Sequence, residues 1–257
     1  MLKIASWNVN SLRVRLQQVL DWLEANRPDI VGLQETKLQN PAFPLDAFEM
    51  AGYRALYSGQ KTYNGVALLS RQPASAPIFE LPGLEDPQRR VLGATIGPVR
   101  VLNLYVPNGQ SVGSEKYAYK LDWLARLARL IEQELRGNGN LVVMGDFNIA
   151  PDDQDVHDPA AWAGKILCSE PERAALSRLL DLGLVDTFRQ FEHPENTFSW
   201  WDYRSAGFRR NLGLRIDLLL ASPDLAARCR GSEVDVAPRR LERPSDHAPV
   251  AAEFDID

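Results

Sequence analysis

Several apolar segments of this 257-residue chain run directly into a carboxylate, an amide or an imidazole. Residues 4–7 lead into Asn8. Residues 30–33 lead into Gln34 and Glu35, and residues 141–144 into Gly145, Asp146, Phe147 and Asn148. Asp217 stands inside the mainly apolar run 214–220, and Ser245, Asp246 and His247 precede the run 249–254. A buried charge without a partner is costly, so such residues imply a metal, a hydrogen-bonded partner or an accessible cleft. Strand ends are also stiff platforms on which side chains can converge. Hard carboxylate oxygens without paired cysteines suit Mg²⁺, with Mn²⁺ as a substitute, better than structural zinc. Mg²⁺ keeps several positions for water and substrate phosphate. The chain has no Walker loop, no Gly-x-Ser-x-Gly elbow and no dinucleotide glycine fingerprint. Metal-assisted hydrolysis of a phosphate ester is the reaction class that remains.

Each signal also has a plain structural reading: Glu35 as a cap, Asp146 as a turn residue, Asp217 as a satisfied buried acid, His247 as a core histidine. Their recurrence at strand ends carries the functional reading. His157, among aspartates, reads as solvated, and His193, beside Pro194, as a loop residue.

The elements that must hold these residues follow from periodicity. Residues 2–7, 30–33, 66–69, 91–96, 99–106, 141–144, 214–220 and 249–254 read as strands. Leu16, Val19, Leu20 and Leu23 form a helical stripe stopped at Arg27-Pro28. Leu121, Leu124, Leu127, Ile131 and Leu135 form a longer one, closed by Gly137. Residues 173–182 are also helical. No Ser/Gly/Pro-rich linker divides the chain, which predicts one α/β domain over residues 1–257. One weak internal likeness links Trp7-Asn8 to Asp146-Phe147-Asn148 and does not by itself establish a duplication.

The composition is 45% apolar and 25% charged, enough for a large core. No apolar run approaches the ~20 residues of a membrane span. The start of the chain lacks the features of a secretory signal. The lone cysteines Cys168 and Cys229 form no metal or redox pair and read as two small buried hydrophobes. A soluble, cytoplasmic, bacterial-type monomer is expected. The formal charge of −5 argues mildly against a nucleic-acid partner. Its distribution points the other way, because Arg204, Arg209, Arg210 and Arg215 fall in one short stretch.

In order along the chain, Trp7-Asn8-Val9-Asn10-Ser11-Leu12-Arg13, Leu33-Gln34-Glu35-Thr36-Lys37, Asn64-Gly65-Val66-Ala67-Leu68-Leu69-Ser70, Asn103-Leu104-Tyr105-Val106-Pro107-Asn108-Gly109, Gly145-Asp146-Phe147-Asn148, Trp201-Asp202-Tyr203-Arg204, Ile216-Asp217 and Pro244-Ser245-Asp246-His247 resemble the exonuclease III family of DNA-repair nucleases. That family belongs to the wider group of deoxyribonuclease I, sphingomyelinases and inositol polyphosphate phosphatases. The resemblance implies a four-layer α/β sandwich, with two packed, mainly antiparallel sheets flanked by helices. It implies Glu35 as the principal metal carboxylate with Asn8 beside it, and Asp246 as a second metal-site or metal-water acid. Asp146 and Asn148 resemble the pair at the attacking water, Asp217 and His247 an acid–imidazole pair, and Tyr105 and Asn108 groups near the scissile phosphate. The implied substrate is duplex DNA with abasic sites, nicks or 3′ ends, and the implied products are a 3′-hydroxyl and a 5′-phosphate.

Arg89, Arg90, Lys116, Lys120, Arg204, Arg209 and Arg210 are candidate phosphate contacts; Lys116 and Lys120 are spaced to share a helix face. Trp200, Leu214 and Ile216 resemble the apolar pocket for an extruded abasic sugar. One departure stands out. Many abasic-site endonucleases carry a small residue and Phe-Leu-Pro before the helix near Pro171, whereas here the run is Ile166-Leu167-Cys168-Ser169-Glu170-Pro171. A bulky Leu167 would shift the enzyme from internal abasic cleavage toward 3′ trimming. A 3′-end-processing exonuclease with little abasic activity is therefore the alternative. A small-molecule or lipid phosphoesterase is more remote, disfavoured by the basic stretch after Trp201.

Overall fold

A computed structural model describes residues 1–256. Among the described residues fourteen strands form: β1 (Leu2–Asn8), β2 (Ile30–Gln34), β3 (Arg54–Ser58), β4 (Val66–Ser70), β5 (Ala74–Ile78), β6 (Val91–Ile96), β7 (Val99–Tyr105), β8 (Leu141–Asp146), β9 (Val185–Asp186), β10 (Trp200–Trp201), β11 (Gly213–Leu214), β12 (Asp217–Ala221), β13 (Cys229–Val234) and β14 (Val250–Phe254). The α-helices are α1 (Leu12–Asn26), α2 (Leu45–Met50), α3 (Glu115–Gly137), α4 (Pro159–Trp162), α5 (Glu170–Asp181) and α6 (Pro223–Ala226). None is long and apolar enough to cross a membrane.

Two six-stranded sheets, β13-β14-β1-β2-β4-β3 and β5-β6-β7-β8-β12-β9, pack face to face. Strand alternation explains the layers, because successive side chains point to opposite faces. Ile4 of β1 and Val142 and Met144 of β8 enter the core between the sheets. Ala5 and Trp7 face α1 and α2 instead, where Val19, Trp22, Leu23 and Phe48 cover them. Leu141 and Val143 face α3 and α5, against Trp123, Leu127, Ile131 and Leu176. The result is a four-layer sandwich in which each sheet has one parallel pair, β1·β2 and β7·β8, among antiparallel ones.

The two sheets repeat one pattern. Pairing runs antiparallel, parallel, antiparallel, antiparallel through β14-β1-β2-β4-β3 and again through β6-β7-β8-β12-β9. The helices α1 and α3 follow equivalent strands. The sequence likeness of Trp7-Asn8 to Asp146-Phe147-Asn148 does not follow this repeat, since β1 corresponds to β7 and β8 to β2.

The same topology gathers the site. The C-terminal ends of β1, β2, β7 and β8 lie at one edge, bringing Asn8, Glu35, Tyr105 and Asp146 together. Antiparallel β12 starts there, with Asp217 opposite Asp146, and β14 starts opposite Ser6, just after His247.

Three local expectations change. Residues 214–220 form two short strands in different sheets, because the chain breaks at Arg215, whose guanidinium turns into buried ion pairs with Asp155 (2.6 Å) and Asp186 (2.7 Å). Asp217 therefore begins a strand rather than interrupting one. Helix α3 runs through Gly137 and is capped by extended Asn138. Cys168 is buried, but Cys229 is only half-buried at the edge of a sheet.

Candidate active site

Asn8 lies at the centre of the cluster. Its Nδ2 donates to Glu35 Oε1 and to Asp146 Oδ2, both at 2.9 Å, and its Oδ1 accepts from the Asn10 backbone N–H. The amide thus orients two carboxylates and has its oxygen turned away. Glu35 has just left β2 in a left-handed conformation, φ 49°, which turns its carboxylate into the cleft. Lys37 Nζ meets Glu35 Oε2 at 2.8 Å.

Asp146 Oδ1 accepts the backbone N–H of Asn148 at 2.9 Å. Asn148, also left-handed at φ 49°, donates from Nδ2 to Val106 O and accepts Asn108 Nδ2 on Oδ1, each at 3.0 Å. The turn after β8 thereby presents a carboxylate and an amide as a unit. His247 Nε2 lies 3.7 Å from Asp146 Oδ2, and its Nδ1 contacts Asp217 Oδ2 at 2.9 Å. Ser199, which no sequence motif singled out, completes this pair. Its hydroxyl donates to Asp217 Oδ2 at 2.6 Å and accepts the backbone N–H of Ile216 and Asp217.

Glu35, Asp146 and His247 form the group of potential metal donors among the described residues, with ligand atoms within 4.8 Å of one another. Two converging carboxylates, one paired with a lysine ammonium, fit a hard divalent cation. Asp246 lies outside this group. Its oxygens accept Asn10 Nδ2 (2.8 Å) and Trp200 Nε1 (3.1 Å). Burial opposes its ionisation, but His247 and those donors hold it below the usual carboxylate range. Asp246 thereby steadies the Trp200 indole and the Asn10 amide.

Electrostatics sharpen the roles. Burial alone would push the His247 ring down, but the Asp217 and Asp146 carboxylates outweigh it and raise it to about 10. Burial pushes the Asp146 carboxyl up to about 7, against the pull of His247. Burial, with Glu35 and Asp146 nearby, raises the Tyr105 phenol well above its usual value, so it stays protonated. Asp146 and His247 both bind protons more tightly folded than unfolded. The stability they supply is full below their unfolded values and is lost as pH rises through the folded ones. The metal-free protein is therefore expected to lose Tm as pH rises from about 6.5 toward about 10. Asp217→Asn should flatten that decline. A wild-type Tm independent of pH over this window refutes the assignment.

The expected DNA contacts divide. Lys116 and Arg90 line a cleft of about 600 Å³ beside Asn108, with Gln60, Tyr63 and Gln88. Arg90 lies over the Tyr105 ring, 4.6 Å from its centroid. Arg89 is half-buried in a 3.0 Å ion pair with Glu80, while Arg204, Arg209 and Arg210 are exposed on the loop after β10. Lys120 is a correction. Its side chain is 0% exposed and paired with Glu172, so no phosphate can reach it. The apolar candidates come together: Trp200, Leu214 and Ile216 share one cluster with Ala150, Val156, Leu167 and Cys168. Among the other histidines, His157 is half-buried on Gly213 O and His193 is stacked on Phe188.

The pattern that defines the endonuclease/exonuclease/phosphatase family matches residues 5–247. The chain belongs to this family. Similar members include the exodeoxyribonuclease III of Haemophilus influenzae, 40% identical over 98% of this chain and the whole of that protein. The 3′ phosphatase NExo from Neisseria, bound to product DNA hairpin, superposes with a TM-score of 0.98 at 51% identity, covering both chains fully. An AP endonuclease from Archaeoglobus fulgidus gives 0.96 at 41%, also over both chains.

Proposed function

We propose that this chain is a metal-dependent DNA-repair phosphodiesterase working on duplex DNA at 3′ ends, including blocked ones, in preference to internal abasic sites. The observation that carries the hydrolytic reading is the convergence of Glu35, Asp146 and His247 from two sheets to within 4.8 Å of one another. Glu35 and Asp146 would hold Mg²⁺, which supplies Lewis-acid stabilisation of phosphate charge. Asp146 accepts a proton from the attacking water while Asn148 fixes that water. The water oxygen bonds to phosphorus, the P–O3′ bond breaks, and the departing 3′ oxygen takes up a proton from solvent, leaving a 3′-hydroxyl and a 5′-phosphate. Protonated His247, held by Asp217, donates to the phosphoryl oxygens as charge builds on them. The cleft with Tyr63, Arg90 and Lys116, and the exposed Arg204–Arg210 loop, suit a phosphate backbone. Catalytic efficiency on duplex DNA should fall steeply with added salt. Efficiency indifferent to ionic strength would exclude this footprint.

Leu167 supports the preference for termini. It adopts φ 73° and is 4% exposed, packed in the cluster of Trp200, Leu214 and Ile216. An aliphatic side chain there takes space that a baseless sugar would need. A gel comparing an internal abasic analogue, a matched 3′ end and a 3′-blocked end, with Mg²⁺ and with chelator, tests the reading. Leu167→Gly should relieve the φ strain and raise abasic cleavage relative to 3′ trimming by about 10-fold. An unchanged ratio would remove Leu167 from lesion choice. Free thiols suit a reducing cytoplasm, and a single chain supplies every catalytic group, consistent with a working monomer.

A further inference from the structure

Lys120 and Glu172 are both 0% exposed, yet no step of the proposed reaction uses them. A buried ion pair repays its desolvation only when its remaining donors and acceptors are also satisfied. This pair is saturated. The Lys120 ammonium has three N–H groups and three partners: Glu172 Oε1, Asn148 O at 2.7 Å and Asn108 O at 3.2 Å. Glu172 Oε1 also accepts the backbone N–H of Leu167 at 3.1 Å, and Oε2 accepts both the N–H and the hydroxyl of Ser169. The Ser169 hydroxyl in turn contacts Tyr117 OH at 2.7 Å. A second link closes the circuit, because Ala150 N–H donates to Leu167 O at 2.8 Å.

We infer that Lys120 and Glu172 are a positioning pair that locks the two cleft asparagines, Asn108 and Asn148, to the Leu167 wall. Lys120 grips the backbones of the two asparagines, and Glu172 grips the segment that carries Leu167. Neither group reaches solvent or substrate. Their function is to make water placement and lesion choice one mechanical unit: a shift of residues 166–169 moves the carbonyls that Lys120 holds, and the reverse.

The experiment uses Lys120→Met/Glu172→Gln, which removes both charges at similar volume and so avoids stranding a buried ion. Glu172→Gln alone is the milder companion if the double variant does not fold. Amide hydrogen exchange and turnover on the three duplexes are measured for each. The expected result is joint loss of protection at Ala150, Leu167 and Ser169. With it, kcat should fall about 10- to 100-fold at nearly constant KM, and the abasic-to-3′ ratio should move. A merely structural pair would lower Tm and leave KM, ratio and folded-state kcat alone. The kinetic part rests on the DNA-repair reading above. A wild type that cleaves no duplex sinks that reading, while exchange still decides the pair without turnover. Loss of protection confined to residues 166–169, or a folded variant with unchanged exchange, kcat and ratio, overturns the inference.

Discussion

Asp146→Asn is expected to lower kcat on duplex DNA by about 10³- to 10⁴-fold while leaving the fold intact. The change is isosteric but removes both the proton acceptor and one of the two carboxylates that would hold Mg²⁺. The carboxylate now accepts Asn148 N–H on Oδ1 and Asn8 Nδ2 on Oδ2. An amide oxygen can keep only one of these, which costs about 1 kcal/mol of stability. Against that, a buried carboxyl pushed up to about 7 no longer has to ionise in the folded state. The two effects on Tm oppose each other, so a large loss of turnover at similar Tm isolates the chemical role. KM should change little, because Asp146 is buried beneath the cleft rather than on its DNA-facing walls. Near-normal turnover in the folded variant would remove Asp146 from the mechanism and pass the base to another group.

Chelation is expected to lower turnover by at least about 10³-fold, since a bound divalent ion supplies several kcal/mol of charge stabilisation. Mg²⁺ should restore it, and Mn²⁺ should substitute. Lys37 at 2.8 Å and Asn8 at 2.9 Å hold Glu35 in place. An added cation competes with the Lys37 ammonium for one carboxylate, and it binds the folded state alone. Tm should therefore rise with Mg²⁺ concentration. Glu35→Gln keeps the Asn8 contact on an amide oxygen but loses the charge. It should abolish the Mg²⁺-dependent rise in Tm and most of the activity together. Full activity in chelator, or a Glu35→Gln protein whose Tm still climbs with Mg²⁺, contradicts this account.

Lys120 shows where a sequence signal was present and misread. Its spacing from Lys116 suggested a shared basic face. Yet Tyr117, Lys120, Leu124, Leu127 and Ile131 are all buried on one side of α3, at helical spacing, while Lys116 is exposed. The apolar stripe was the stronger indicator, since a lysine inside it must find a buried acid. Glu172 lies 52 residues away, on another helix, and its own local pattern, the capping box with Ser169, does not name Lys120 as its partner. Ser199 escaped for the same reason. A serine hydroxyl between phenylalanine and tryptophan has no sequence mark until β10 and β12 bring it against Asp217.

Local sequence determined which strands are apolar, where they end, and that their ends carry Glu35, Asp146, Asn148, Asp217 and His247. Each of those properties depends on neighbours within a few residues, so periodicity and residue type suffice to read it. Tertiary structure alone decided the rest. It set the orientation of the Asn8 amide, the separation of Asp246 from the Glu35–Asp146–His247 group, the burial of Lys120, and the packing of Leu167 against Trp200, Leu214 and Ile216. Those depend on distances between segments tens to hundreds of residues apart. Such distances are set by how two sheets stack and which edge their parallel strands share. The carboxylates at strand ends already pointed to hydrolysis of a phosphate ester. The direction in which each polar atom faces, and hence its part in that hydrolysis, existed only once the sandwich had closed.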